Sequence, residues 1–114
     1  MLKLTSSLVL LCFVSFSLRA QFETATLTGV VSDPVGAVIA SAAIKVLNEA
    51  TNIEVAITTD ENGRFTVPGL RPGTYQLSAS APGFKQFVST GLVLQVNQSA
   101  RLDVQLTVGE VSER

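Results

Sequence analysis

The stretch from Thr58 to Lys85, TTDENGRFTVPGLRPGTYQLSASAPGFK, alternates turn and strand residues more regularly than any other part of the chain. Its first turn, Asp60–Gly63, combines an Asp that can bond its own backbone, an Asn that tolerates a left-handed conformation and a Gly that adopts positive φ freely. Residues 64–67 then alternate with the period of two that is typical of a β-strand. Pro and Gly interrupt the chain, and residues 74–81 alternate again, with Tyr75 on the apolar face. The stretch therefore predicts two strands bounded by tight turns.

The segment before this turn also alternates, with Ile53, Val55 and Ile57 predicted to face inward. Because it runs directly into the Asp60 turn, we predict that residues 53–59 form a hairpin with residues 64–67.

Other segments of the chain beyond residue 25 show the same pattern of short strands separated by turn residues, and none has a convincing helical period. The predicted strands are residues 26–31, with Gly29 as a bulge or a point of close approach, residues 42–47 and residues 84–89. Two more follow: one in which Leu92, Leu94 and Val96 share a face, and residues 101–106 with Leu102, Val104 and Leu106 inward. The predicted turns are residues 33–36, 48–52 and 97–98. Several short strands without helices favour a sandwich or a barrel.

The motifs TDENGRF, LRPGTY and APGFK, preceded by G-V-V-x-D-x-x-G from Gly29 and A-x-I-x-V from Ala42, resemble the carboxypeptidase regulatory-like domain. The resemblance covers residues 26–106 and implies an all-β fold, a seven-stranded antiparallel β-sandwich of the prealbumin-like, Greek-key type. It also implies a non-catalytic domain of the kind appended to peptidases, to surface proteins and to the N-terminus of Oar-like TonB-dependent receptors. Residues 107–114, which follow Leu106, resemble the linker to the plug of such a receptor.

The N-terminus carries the features of a secretory signal peptide over residues 1–20, namely Lys3, an apolar run at residues 8–16 and a small residue, Ala20, for cleavage. Ser17 is a second possible cleavage site, and an uncleaved anchor is the alternative. We expect the mature chain to begin at a short polar segment, residues 21–25, and to be exported to the periplasm or the outer membrane, or secreted.

Composition restricts the chemistry of the mature chain. Cleavage removes the single Cys, Cys12, and the sequence contains no His, so a disulfide, a thiol nucleophile and imidazole chemistry are excluded. Six of the eight cations and all nine carboxylates remain after cleavage, which gives a net charge of −3. Because nucleic acids bind clustered Lys and Arg, a nucleic-acid partner is not expected.

The remaining polar groups are predicted to serve structure. Asp60, Glu61 and Asn62 could hold calcium, but their spacing is that of a turn rather than of an EF-hand loop. Two further carboxylates, Asp33 and Asp103, could pair for acid-base chemistry, yet both lie beside turns or at outward positions. The lysines Lys45 and Lys85 lie in no recognisable Ser-Lys motif.

Two related folds suggest other functions, an isopeptide bond and carbohydrate binding. Cna B-type domains, which share a similar fold, form a Lys–Asn isopeptide; Lys45 is present here, but the last strand offers no inward Asn and Asn97 precedes it. Starch-binding domains share a similar sandwich, but sugar platforms use exposed aromatic rings, and the chain has no Trp and one Tyr, predicted to face the core.

We therefore predict no catalytic, cofactor-binding or metal-binding residues and no enzymatic activity. The predicted function is an exported structural or protein-interaction module, with a receptor plug or a periplasmic protein as the partner. A carbohydrate-binding module is the alternative, and no membrane span is expected in the mature chain.

Overall fold

The structure, a computed structural model, describes residues 23–109, which form eight strands joined by turns and loops. The strands are β1 (Ala25–Ser32), β2 (Ala43–Asn48), β3 (Glu54–Thr58), β4 (Arg64–Leu70), β5 (Gly73–Ser80), β6 (Phe87–Leu94), β7 (Ser99–Arg101) and β8 (Val104–Gln105). The predicted signal peptide and residues 110–114 of the predicted tail lie outside the described residues. Within residues 23–109 no helix is long and apolar enough to cross a membrane.

The strands form two sheets. The first has the order β4-β1-β7, with β8 also paired to β1, and the second has the order β3-β2-β5-β6. The predicted all-β sandwich is confirmed. The resemblance implies seven strands, whereas the structure has eight. The sheets are also not antiparallel throughout, because β7 and β8 both run parallel to β1.

The core lies between the sheets and is built by alternation along the strands. In β1 and β5 every second side chain is buried, as the period of two requires. Tyr75, Leu77 and Ala79 of β5 are buried as predicted. The largest fully buried side chains come from both sheets: Leu27, Val31, Ile44, Val46, Val67, Leu77, Leu94, Val104 and Leu106.

The predicted hairpin between residues 53–59 and residues 64–67 is wrong. The Asp60 turn forms, with the Gly63 N–H bonded to the Asp60 carbonyl at 2.9 Å, but β3 pairs with β2 and β4 pairs with β1. The turn therefore carries the chain from the second sheet to the first. Ile53, predicted to face inward, is 65% exposed, because it lies in the loop before β3 rather than within the strand.

The two strands predicted between residues 84 and 96 are one strand, β6. Gly91 lies within it at φ 69°, and β6 has one extra residue in this region, since Tyr75 pairs with Leu92 and Leu77 with Ser89. The chain leaves the sheet after Leu94, so Val96 is exposed and does not continue the face of Leu92 and Leu94.

The last predicted strand is divided into β7 and β8. Leu102 N–H bonds to the Thr28 carbonyl at 2.8 Å, while the Val30 N–H, which a regular ladder would pair with a carbonyl, bonds to the Asp103 carboxylate at 3.1 Å. At this break a Cβ on Gly29 would meet the Leu102 carbonyl and lie 2.7 Å from Phe65 Cζ. The predicted close approach at Gly29 is confirmed.

Candidate functional site

Three of the four carboxylates considered for chemistry accept hydrogen bonds from backbone amides. Asp33 Oδ1 accepts the N–H groups of Val35 and Ala37 at 3.0 and 2.9 Å. Asp103 Oδ1 accepts Val30 N–H, and both of its oxygens contact Arg101 Nε at 3.0 and 3.2 Å. These groups stabilise turns and the β7–β8 break, and each lies in a different loop.

Asp60 follows the same pattern in the turn between the sheets. Its Oδ1 accepts the N–H groups of Asn62 and Arg64 at 2.8 and 2.9 Å. Hydrogen bonds to the charged carboxylate, first from Arg64 and then from Asn62, lower the pKa of Asp60 from its ordinary value of 3.8. The arrangement is that of a turn-stabilising acceptor.

The other residues considered for chemistry are dispersed. Glu61 is exposed at the tip of the turn, and Lys45 is exposed on the second sheet opposite Ala56 and Ser78. The Lys85 backbone N–H bonds to the Thr107 carbonyl at 2.8 Å, and its side chain is exposed. Across the described range no group of three or more His, Cys, Asp and Glu side chains could hold a metal ion.

Tyr75, the residue considered for a sugar platform, is 3% exposed. Its hydroxyl donates to the Arg71 carbonyl at 2.7 Å, so the ring packs in the core and its polar end is satisfied within the domain. The prediction that Tyr75 belongs to the core is confirmed.

The edges of the two sheets are candidate binding features, because unpaired backbone groups there can accept another strand. Three of the four edges are irregular. Pro68 in β4 has no N–H, β6 is distorted at Gly91, and the β7–β8 edge is broken at Leu102 and Asp103.

The fourth edge, β3, is regular. Thr59 N–H bonds to the Ala42 carbonyl and Asn48 N–H bonds to the Ile53 carbonyl, so the odd-numbered residues of this segment pair with β2. In an antiparallel ladder the intervening residues then direct their N–H and C=O groups away from the partner. Glu54, Ala56 and Thr58 therefore present a free backbone edge, which we call the β3 edge.

A cleft of about 320 Å³ opens beside the β3 edge, between β3 and β4. Its walls are mainly apolar, with one charged side chain at the rim, and its lining consists of Asn48, Thr51, Ile53, Val55, Gly69, Leu70, Arg71 and Tyr75. This cleft was not predicted from the sequence, because β3 was expected to pair with β4. Pro68 was the available signal, since a proline inside a strand indicates a sheet edge.

These features define a small β-sandwich domain with a regular sheet edge beside an open cleft. The family model of the carboxypeptidase regulatory-like domain matches residues 26–107. The chain belongs to this family.

A curated relative is similar over part of the chain. Over 63 residues, 53% of this chain, it is 33% identical to the TonB-dependent transporter Oar of Myxococcus xanthus. The matched segment is 6% of that transporter's length, so the chain corresponds to a small part of the curated relative.

Solved structures share the fold at low identity. The Bacillus anthracis TIE protein gives a TM-score of 0.65 at 19% identity, with 75% of this chain and 17% of that chain covered. Catechol 1,2-dioxygenase of Acinetobacter radioresistens gives 0.62 at 15% identity, with coverage of 82% and 57%. A candidate carbohydrate-binding protein of Bacteroides uniformis gives 0.61 at 19% identity, with coverage of 74% and 41%. At these identities the likeness concerns the fold alone.

Proposed function

We propose that this chain is a non-catalytic, exported β-sandwich module that contacts another protein, in the manner of a domain attached to a TonB-dependent receptor. The observation that carries the proposal is the 33% identity to the TonB-dependent transporter of Myxococcus xanthus, within a domain of the carboxypeptidase regulatory-like family. The periplasm or the outer membrane is the location that this similarity supports.

The polar groups of the domain support a non-catalytic role. Asp33, Asp60 and Asp103 accept backbone hydrogen bonds in three separate loops, so they do not converge on a common substrate position as an acid-base pair would. The accessible β3 edge offers backbone donors and acceptors, which suit recognition of a protein chain.

The C-terminal segment supports attachment to a neighbouring domain. Thr107 and Gly109 bond to the loop between β5 and β6, with Lys85 N–H to the Thr107 carbonyl at 2.8 Å and Gly109 N–H to the Gly83 carbonyl at 3.0 Å. Phe84 and Val108 also form an isolated bridge. A plug joined after Gly109 would therefore start beside that loop, at a fixed end of the sandwich.

Carbohydrate binding is the second candidate, favoured by the fold shared with the Bacteroides uniformis protein. The aromatic side chains between residues 23 and 109 weigh against it. Phe65 and Tyr75 are buried, and Phe84 and Phe87 pack partly buried against the core. A flat exposed ring of the kind that stacks on sugars is therefore missing from the described surface.

Binding measurements separate the two candidates. We expect the full chain to bind the purified plug of the Myxococcus xanthus transporter with micromolar affinity in biolayer interferometry, and to give no signal with maltoheptaose or soluble starch. Binding to either glucan together with no binding to the plug would contradict the protein-interaction function and favour carbohydrate binding.

A further inference from the structure

The β3 edge and the adjoining cleft lie side by side and together offer backbone and side-chain contacts to one ligand. We propose that they form a single site for an extended segment of a protein partner, which pairs with the β3 edge, places an apolar side chain in the cleft and an acidic side chain on Arg71. This inference rests on the proposed function and specifies where the partner binds and which chemistry it carries.

The backbone of β3 is suited to receive an added strand. Glu54, Ala56 and Thr58 direct their N–H and C=O groups away from β2, and β3 contains neither Pro nor Gly. The strand is paired on one side only, since it stands at the end of the order β3-β2-β5-β6. An extended segment would become the fifth strand of the second sheet.

The cleft is positioned to take a side chain from that segment. Val55 of β3, Leu70 of β4 and Tyr75 of β5 all line it. Ile53 lies at the same end of β3 and is 65% exposed. Because alternate side chains of an added strand point toward the first sheet, one of them would reach this apolar space.

The charged group at the cleft is a hydrogen-bond donor that can take an acceptor from a ligand. Arg71 makes no ion pair within residues 23–109, where the ion pair present joins Arg101 and Asp103. Several acceptors in the cleft lining are already engaged. Asn48 Oδ1 accepts from Ala50 and Thr51, and the Thr51 hydroxyl oxygen accepts Ile53 N–H. The Tyr75 hydroxyl donates to the Arg71 carbonyl. The Arg71 guanidinium therefore favours a carboxylate on the incoming segment.

A second copy of this chain fits the site less well. Two β3 edges paired antiparallel about Ala56 would place Glu54 opposite Thr58 of the other copy. The facing inward side chains would be Val55 and Ile57, which bring no carboxylate to Arg71. The charge at the cleft is the reason that we assign the site to a different protein.

Hydrogen exchange measured by NMR on the full chain tests the site. The probe is a capped octapeptide, Thr-Val-Thr-Val-Thr-Glu-Thr-Val, whose partner probe carries Lys in place of Glu. We expect the Glu peptide to slow exchange at the amides of Glu54, Ala56 and Thr58, which point away from β2 in the free protein. The Lys peptide should bind about tenfold more weakly, as the loss of one charge-assisted hydrogen bond predicts.

Charge reversal at the cleft provides the specific control. Arg71→Glu should weaken the Glu peptide by about tenfold or more and improve binding of the Lys peptide. Arg64→Glu is the matched variant, because Arg64 is also exposed and charged but does not line the cleft; it should change both affinities less than about twofold. Both side chains are exposed, so the fold should tolerate either change.

Three results would overturn the inference: no protection at β3 with millimolar Glu peptide, protection at β4 or β6 instead, or equal affinity for both peptides. Protection at β3 that rises with protein concentration in the absence of peptide, together with a doubled mass, would assign the edge to a second copy. A plug that binds without protecting β3 would leave the proposed function intact and remove this site. Peptide binding at β3 without plug binding would support this site and contradict the proposed contact with a receptor plug.

Discussion

Two turns of this domain use nearly the same local chemistry and lead to different topologies. In the turn at residues 48–52, Asn48 Oδ1 accepts the N–H groups of Ala50 and Thr51 at 2.9 and 3.1 Å. In the turn at residues 60–63, Asp60 Oδ1 accepts those of Asn62 and Arg64 at 2.8 and 2.9 Å. The first joins β2 and β3 within one sheet, whereas the second carries the chain between the sheets.

The contacts outside the turns account for the difference. Thr59 Oγ1 accepts Ala42 N–H and donates to the Ile39 carbonyl, both at 2.8 Å, which holds the end of β3 against the β2 side. The Gly63 carbonyl accepts Val31 N–H at 2.8 Å, which holds the start of β4 against β1. Local turn chemistry thus reverses the chain, and residues distant in sequence decide which strand it meets.

The largest effect is expected from Gly63→Ala. Gly63 has φ 74°, and a Cβ there would lie 2.8 Å from both the Val31 carbonyl oxygen and Val38 Cβ. Positive φ and overpacking together should lower the free energy of unfolding by about 3 kcal/mol. Chemical denaturation monitored by circular dichroism measures the change.

Gly36→Ala is the matched control for this prediction. Gly36 has φ 91°, but a Cβ added there would have no neighbour within 4 Å, so only the conformational cost of about 1 kcal/mol should appear. Equal losses in the two variants would show that the contact with β1 does not hold the turn between the sheets.

The second largest effect is expected from Thr59→Val. Thr59 is the one buried polar residue between residues 23 and 109, and the change would leave Ala42 N–H and the Ile39 carbonyl without their partner. The loss should be about 2 kcal/mol. Thr51→Val removes a hydroxyl that accepts Ile53 N–H at 3.2 Å at the exposed turn, and should cost less than about 1 kcal/mol.

Thermal denaturation of both Thr variants measures the comparison. An equal loss of stability in both variants would mean that the exposed Thr51 hydroxyl matters as much as the buried Thr59 hydroxyl. The bonds of Thr59 would then not explain why the chain passes from one sheet to the other after β3.

Much of the fold could be predicted because alternation and turn residues are local signals. The turns at Asp33, Asn48 and Asp60, the strand character of β1 and β2, and the inward face of β5 follow from the sequence in this way. Strand pairing could not be predicted, because β1 pairs with β4 and β2 with β5 over long separations. The same limitation applies to β7 and β8, which pair in parallel with the distant strand β1.

The candidate site could be predicted only in part. The burial of Tyr75 followed from its position on the apolar face of β5, and the structural use of Asp33 and Asp60 followed from turn chemistry. The β3 edge could not be found without knowing that β4 lies in the other sheet. Its cleft also brings together Val55 of β3 and Leu70 of β4, which no local pattern indicates.

A smaller effect is expected in acid. The pKa of Asp60 is lowered in the folded state by the bonds from Arg64 and Asn62, so its contribution to stability is present above the unfolded pKa and is lost as pH falls through the folded pKa. Asp60→Asn keeps an acceptor oxygen but cannot titrate, so melting temperature should fall less steeply below about pH 4 than in the parent chain.

The reciprocal substitution introduces a titratable carboxylate into the turn at residues 48–52. Asn48 is the neutral counterpart of Asp60, so Asn48→Asp should add acid sensitivity in the same direction. If the melting temperatures of the parent and Asp60→Asn chains fell equally steeply in acid, the charge of the Asp60 carboxylate would not contribute to stability.

The smallest effect is expected from calcium. Both turns expose oxygen atoms, but Asp60 Oδ1 and Asn48 Oδ1 each already accept two backbone amides, and Glu49 Oε2 accepts Gly91 N–H at 3.3 Å. A cation would have to compete with these bonds and would gain too few oxygen ligands, since calcium takes about six to eight. Millimolar calcium should therefore leave the melting temperature unchanged, whereas a ligand at a hundred times its dissociation constant would add about 2.7 kcal/mol. A rise of several degrees that disappears in Asp60→Ala but persists in Asn48→Ala would identify the turn between the sheets as a cation site, and would distinguish the two turns by chemistry as well as by topology.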